Sequence, residues 1–314
     1  MDDALLSIDA LRLALPSGAR LLDGVSLRLE RGRILGVVGE SGSGKSLTGL
    51  SVLGLQPRGR LEGKLAFEGQ DLLGFGPGDW RRFRGRRAAI IFQDPMTAFL
   101  PVRRIGAQIA EQIRLHSLCS RREAETRVIA LLSRMGVPAP REAARRFPHE
   151  LSGGLRQRAM IAMALSCDPD LVIADEPTTA LDVTVQAQIL MLLREIGARR
   201  AGVMLITHDM GVVAQICTDI AVLYAGVVVE SGPAEAVLRT PWHPYTRALL
   251  RAIPPMDGAR PDRLPTIEGT PPAPEARPPG CVFAPRCPER RAACAFRPAL
   301  RRHEDRSVAC VLYP

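Results

Sequence analysis

Residues 39–46 run Gly39, Glu40, Ser41, Gly42, Ser43, Gly44, Lys45, Ser46, the pattern G-x-x-x-x-G-K-S. Residues this small let a backbone wrap closely around an anion with successive N–H groups aimed inward. Lys45 supplies a point charge for outer phosphate oxygens, and Ser46 a hydroxyl for Mg²⁺. Asp175 and Glu176 end the apolar run 171–174, ahead of Pro177. Asp175 suits Mg²⁺, directly or through water, and Glu176 suits a general base that polarises an attacking water. The bland readings are a glycine-rich turn and a surface acidic pair. The Lys-Ser ending and the correct flanks argue against the first, and Pro177 with the strand end argues against the second. Together the residues describe nucleotide phosphate binding with hydrolysis.

These groups need elements to hold them. The run 34–38 has the length of a buried strand and 47–55 is helix-like, so the glycine loop sits between strand and helix as phosphate chemistry requires. Segments 5–13 and 21–29 alternate apolar and polar residues, with bends at Gly24 and Gly32. A strand at 61–67 and a Gly-rich patch at 69–78 follow. The Arg81, Arg82, Arg84, Arg86, Arg87 cluster reads as a solvated face or, more sharply, as a contact for phospholipid headgroups or an acidic partner. Strand 88–92 ends at Gln93. Helical spacing fills 105–135, and a second helix opens at 151–158 with Ser152 as its N-cap. A helix at 184–198, a strand at 203–207, and a hairpin of 220–224 and 227–229 around Gly226 complete the pattern. Strands alternating with helices predict an α/β sheet, largely parallel, interrupted by a mostly helical insertion at about 95–165. The expected organisation is a nucleotide-binding domain at 1–240, a Pro-rich linker at 241–279, and a Cys-containing unit at 280–314.

The chain has 314 residues, formal net charge +9 and 46% apolar residues. That composition excludes global disorder, and the charge is compatible with nucleic acid, an anionic membrane surface or a genome-wide bias. No run approaches the roughly 18 apolar residues of a membrane span. The N-terminal Met1-Asp2-Asp3 is acidic where a signal peptide needs basic residues. The expectation is a soluble, cytoplasmic chain whose seven Cys are thiols or metal ligands rather than disulfides.

Gln93, the LSGGLRQR of 151–158, LVIADEP of 171–177, the Ala180-Leu181-Asp182 turn and His208 in ITHD follow the glycine loop in an order and spacing that resemble the ATP-binding-cassette (ABC) ATPases over about residues 5–250. The resemblance implies a P-loop cassette: a RecA-like, mostly parallel core, an N-terminal antiparallel β subdomain and a helical insertion, with a small C-terminal extension. It implies ATP and Mg²⁺ as cofactors, with Mg²⁺ held through Ser46, Gln93 and Asp175. Glu176, His208 and Gln93 would be the catalytic groups, and His208 would also contact the γ-phosphate. Two cassettes would pair head to tail, so that Ser152, Gly153, Gly154 and Gln157 touch ATP held by the partner, and Asp182 belongs to the D-loop.

Three further stretches resemble the oligopeptide, dipeptide and nickel importers within that family: FQDPMT at 92–97, HPYTRALL at 243–250 and GCVFAPRCP at 280–288. This implies an ATPase subunit at the cytoplasmic face of a membrane, driving peptide uptake. Its partners would be a second, different ATPase, two permease subunits and, indirectly, an extracytoplasmic peptide-binding protein. An importer of nickel or another small solute is the alternative within the family. A soluble ABC ATPase acting on nucleic acid is the rival of another class, and no nucleic-acid partner is expected. Two departures stand out. Ala98-Phe99-Leu100-Pro101 replaces the usual S-L-N-P, and no aromatic residue precedes Phe67 to stack on adenine, leaving Leu13 or Leu15 for that face. Cys281, Cys287, Cys294 and Cys310 are spaced C-x5-C-x6-C-x15-C, which matches no common zinc or ferredoxin run. The spacing leaves a metal site and idle thiols both open. The resemblance implies a [4Fe–4S] cluster, with Zn²⁺ as the alternative. Cys119, Cys167 and Cys217 read as packing residues.

Overall fold

The computed structural model describes residues 4–178, 183–253 and 266–313. In chain order the first elements are β1 (Ala4–Ala14), β2 (Arg20–Glu30), β3 (Ile34–Val38), α1 (Lys45–Val52), β4 (Arg60–Phe67) and β5 (Gln70–Asp71). Next come α2 (Pro77–Phe83), β6 (Ala88–Ile91), α3 (Ile105–His116), α4 (Arg121–Arg134), α5 (Pro140–Ala143), α6 (Gly153–Ala164), β7 (Leu171–Asp175), α7 (Val183–Ala198) and β8 (Gly202–Ile206). The last are α8 (Met210–Ile216), β9 (Asp219–Tyr224), β10 (Val227–Pro233), α9 (Ala234–Arg239), α10 (Pro244–Arg251), β11 (Arg301–His303) and β12 (Arg306–Val308). The chain forms two compact units, Met1–Gly74 with Met204–Pro314, and Phe75–Val203.

The first unit holds an antiparallel sheet ordered β2-β1-β4-β5 and a second sheet whose strands include β11-β12-β10-β9-β3 in that order. The alternation in β1 buries Leu11 and Leu13 on one face while Arg12 stays out. All five residues of β3 are buried, as expected of a strand covered on both faces. β3 runs parallel to β9, and β9 turns back into β10 through Ala225 (φ 46°) and Gly226 (φ 77°). Two successive positive φ values are what a tight hairpin of matching twist requires.

The second unit pairs β6 and β7 in parallel and carries the helical insertion. The continuous helical spacing of 105–135 resolves into α3 and α4. The break follows from Ser120 and Glu123, a reciprocal capping box: Ser120 Oγ accepts from Glu123 N (3.3 Å) and Glu123 Oε2 from Ser120 N (2.7 Å). The Gly-rich patch ends in a helix, α2, with proline in its first turn and Asp79 accepting from Gly76 N at 3.0 Å. Its Phe75, Trp80 and Phe83 rings pack edge to face. The arginine cluster divides accordingly. Arg82 pairs with Asp79 at 2.6 Å, Arg84 lies 4.9 Å over the Trp80 ring and Arg87 pairs with Asp170 at 2.6 Å. Arg81 and Arg86 face solvent.

The C-terminal region departs most from the sequence reading. The HPYTRALL stretch, assigned above to a linker, is the helix α10, with Tyr245 completely buried. Residues 280–314 do not stand apart either. β12 extends the sheet by pairing with β10, and Val282 and Phe283 enter the same core cluster as Val38, Val222, Tyr224 and Tyr245. A tail of 35 residues has too little apolar surface for its own core, so it shares one. Pro254, Pro255, Pro261 and Pro265 of the linker lie outside the described residues.

Candidate nucleotide site

Backbone geometry explains the glycines of the loop. Gly39 has φ 150°, and a Cβ there would sit 2.1 Å from Leu223 O. Gly44 has φ 101° and precedes α1 without a side-chain cap, and no acidic residue lies in the first turn. The helix therefore presents its N-terminal amides, and their partial positive charge, to whatever occupies the loop. Lys45 is 6% exposed, and its Nζ donates to Gly39 O (2.8 Å) and Glu40 O (3.0 Å). Gly226 N donates to Ser43 O at 2.8 Å, tying the loop to the β9–β10 turn. Ser43 Oγ is buried and has no hydrogen-bond partner among the described residues. Ser41 is exposed at the loop's rim, and Ser46 opens the first turn of α1. His208 is exposed at the end of β8, while the next residue, Asp209, caps α8 by accepting from Gly211 N (2.8 Å) and Val212 N (3.2 Å).

The second unit carries the acidic pair and the signature. Asp175 closes β7 and is 8% exposed. Glu176 follows with φ 44°, a left-handed conformation that costs a non-glycine residue energy and is typical of functional turns. Gln93 Nε2 donates to Glu176 Oε2 at 3.0 Å. Ser152 caps α6 as expected, its Oγ accepting from Leu155 N at 3.4 Å. A Cβ on Gly153 or Gly154 would meet nothing within 4 Å. These glycines thus leave open space above a helix N-terminus rather than fitting a neighbour in this chain. Gln157 corrects the expectation. It is 3% exposed, and its Nε2 donates to Pro177 O at 2.8 Å, so its amide supports the turn after Glu176 and does not face outward. Asp182 lies outside the described residues.

Leu13, one of the two candidates for an adenine face, is fully buried in the sheet, which leaves Leu15 at the partly exposed turn. Cys217 is half-buried, its thiol pushed up to about 12 chiefly by desolvation, and packs where a Cβ on Gly36 would lie 3.0 Å from its Sγ.

Each of the four tail cysteines accepts a backbone amide. Arg291 N donates to Cys294 Sγ at 3.4 Å, Phe283 and Ala284 serve Cys281, Glu289 serves Cys287 and Leu312 serves Cys310. Burial, and to a lesser degree the charges of other tail thiols, raise the pKa of Cys281, Cys287 and Cys310. Among the described residues no group of three His, Cys, Asp or Glu side chains is arranged to hold a metal ion.

Sequence missed the groups that bind this region together. Glu230 is completely buried, and its carboxylate accepts from Arg306 Nη2 (2.6 Å), Trp242 N (2.8 Å) and His243 N (2.9 Å). Arg306 also stacks 3.9 Å from the Trp242 ring centre. His243 Nδ1 accepts from Tyr245 N at 3.1 Å, capping α10, and Tyr245 Oη accepts from Glu40 N at 2.8 Å. An isolated acid in a β-strand gives no sequence signal of such a role.

A model described as "ABC transporter" matches residues 22–179, and one described as "Oligopeptide/dipeptide transporter, C-terminal region" matches 229–294. The chain belongs to the ABC transporter family. Within that family it is an ABC-type ATPase with ATP as its nucleotide. It is 46% identical to the probable D,D-dipeptide transport ATP-binding protein DdpD of Escherichia coli (strain K12), over 100% of this chain and 97% of that protein. It is 45% identical to the oligopeptide transport ATP-binding protein AppD of Bacillus subtilis (strain 168), over 93% and 90% of the two chains. The fold is that of the dimeric ATP-binding cassette MJ0796 in a post-hydrolysis state bound to ADP and Pi. That likeness has a TM-score of 0.66 and 23% identity, and covers 73% of this ABC ATPase and 98% of that chain. No helix among the described residues is long and apolar enough to cross a membrane.

Proposed function

We propose that this ABC ATPase powers a membrane importer of di- and oligopeptides. The observation that carries the reading is the joining of two things in one compact unit: a loop shaped for phosphates, and the HPYT helix with the cysteine tail. Relatives that align over nearly the whole of this chain are named for dipeptide and oligopeptide transport.

In this reading the amides of 39–46 and Lys45 bind the phosphates, and Ser43 Oγ, buried without a partner, gains one. Ser46, Asp175 and Gln93 hold Mg²⁺, whose charge offsets the negative charge of the phosphates. Glu176 takes the proton of the attacking water, and His208 orients that water and the γ-phosphate. Ser152, Gly153 and Gly154 serve the partner cassette, since the space over the two glycines suits close approach by an outside anion. The partner is a related, non-identical ATPase. The pair docks on two permease subunits at the cytoplasmic face of the membrane, and an extracytoplasmic binding protein selects the peptide.

Four thiolates suit a [4Fe–4S] cluster and a single Zn²⁺ equally well, and the resemblance of the tail to those of peptide-importer ATPases favours the cluster. The cluster would cross-link a tail that has little core of its own. Anaerobically purified protein should be brown, with iron and sulfide. Colourless protein with stoichiometric zinc would refute the cluster.

Reconstitution with the co-purifying membrane subunits tests the function. The expected outcome is ATP-dependent uptake of labelled di- and oligopeptides. Uptake of nickel but not peptide would move the chain to the alternative cargo, and co-purification with nucleic acid instead of permeases would overturn the transport reading.

A further inference from the structure

Residue 40 of the phosphate loop is gripped on three sides. Its N–H donates to Tyr245 Oη (2.8 Å), and its carbonyl accepts from Lys45 Nζ (3.0 Å). Its carboxylate takes both prongs of Arg286, Nη1 to Oε2 at 2.6 Å and Nη2 to Oε1 at 3.0 Å. Arg286 comes from the cysteine tail and directly precedes Cys287. Its side chain is 4% exposed and that of Glu40 26%. The remaining guanidinium contacts are Nε to Glu268 O (2.8 Å), Nη2 to Ile267 O (3.1 Å) and Nη1 to Tyr224 Oη (3.3 Å). One side chain of the tail thus joins residues 267–268 and Tyr224 of β9 to the phosphate loop.

We propose that Arg286 is a positioning residue for the nucleotide site, and that through its fork on Glu40 nucleotide binding and ordering of the cysteine tail favour each other. The inference rests on residues 39–46 being the ATP site. A planar fork fixes the orientation of a carboxylate in a way a lysine ammonium does not. Glu40 lies between Gly39 and Ser41, and Lys45 bridges the carbonyls of residues 39 and 40, so anchoring the Glu40 side chain restrains the start of the loop. The tail thereby stabilises the loop conformer that receives phosphates. Linkage then requires bound nucleotide to stabilise the tail by the same factor.

The test uses the full chain with Mg²⁺ and a fluorescent ATP analogue. Arg286→Lys breaks the fork from the tail side, and Glu40→Gln from the loop side without touching the tail. Each should weaken binding about tenfold, and the double variant should be little worse than either. Arg297→Ala removes a different tail anchor, on Asp23, and should bind within about twofold of the parent. In the parent chain MgATP should slow amide exchange across 281–294, and in Arg286→Lys this protection should disappear. If Arg286→Lys and Glu40→Gln both bind like the parent, or if MgATP leaves tail exchange unchanged in the parent, the clamp is wrong while the nucleotide site stands. A parent chain that does not bind the analogue overturns both.

Discussion

Gln93 and Glu176 are hydrogen-bonded to each other, Nε2 to Oε2 at 3.0 Å. The groups read as a Mg²⁺ ligand and a general base therefore hold one another. The amide nitrogen is engaged with the carboxylate, which leaves the carbonyl oxygen of Gln93 as the atom able to face a cation. Glu176→Gln removes the proton acceptor but keeps a side chain of the same shape. Turnover should fall by about 10²–10⁴-fold with ATP affinity retained, and an ATP-bound dimer should accumulate on size-exclusion chromatography. Phosphate release at the parent rate would refute the role of Glu176.

Lys45 bridges Gly39 O and Glu40 O, so Lys45→Ala removes both a loop staple and the positive charge. Hydrolysis should be lost through failed binding, read as the disappearance of analogue binding with the melting temperature little changed. Intact binding would place the phosphates elsewhere.

Arg306 and Glu230 form an ion pair with side-chain exposures of 5% and 0%. Arg306→Met leaves a buried carboxylate with only its two backbone donors. Removing one partner of such a pair costs about 3–5 kcal/mol. Urea unfolding should show that loss with most of the catalytic rate per folded molecule retained. A variant as stable as the parent would show that the pair is not a stability determinant.

His243 is buried, and its imidazole pKa drops to about 3, first because burial penalises the charged form and second because Arg247 is near. Its folded value lies below its unfolded one, so on acidification the unfolded chain takes the proton first. The stability from keeping His243 neutral is complete above about pH 6.5 and is lost as pH falls from there toward about 3. His243→Asn keeps a capping acceptor without titrating in that window. Its melting temperature should depend less on pH between about 6.5 and 4 than the parent's, and equal slopes would count against the assignment.

Leu13 is fully buried and no aromatic residue precedes Phe67, so adenine lacks a ring to stack on from the N-terminal strands. A stacking contribution on the order of 1 kcal/mol is then missing. ATP and GTP should support similar turnover in a coupled phosphate assay. Strict preference for ATP would reveal another base contact.

Chemistry confined to a few neighbouring residues was legible without coordinates. The phosphate loop, the Asp175–Glu176 strand end and the Ser152 cap depend on local backbone geometry, which residue type and spacing dictate over a single turn. β1 and β2 were visible because a strand's side-chain period is written directly in its sequence, and β3 and β7 because short apolar runs have the length of buried strands. The helix α2 was hidden by Gly74 and Gly76 ahead of it and by Gly78 in its first turn. The break between α3 and α4 was hidden because apolar spacing continues through the Ser120 capping box. Gln157 looked like a surface signature residue until Pro177 O took its amide.

By itself the sequence determined that this chain binds and hydrolyses a nucleotide, because those residue types at those spacings have few other uses. Only the tertiary structure decided that the HPYT helix and the cysteine tail belong to the same body as the phosphate loop. Glu230 to Arg306, Tyr245 to Glu40 and Glu40 to Arg286 join residues between 76 and 246 positions apart. No local periodicity encodes such pairs. They form because a tail too small to bury its own apolar side chains gains a core, and partners for its buried charges, by folding onto the cassette sheet.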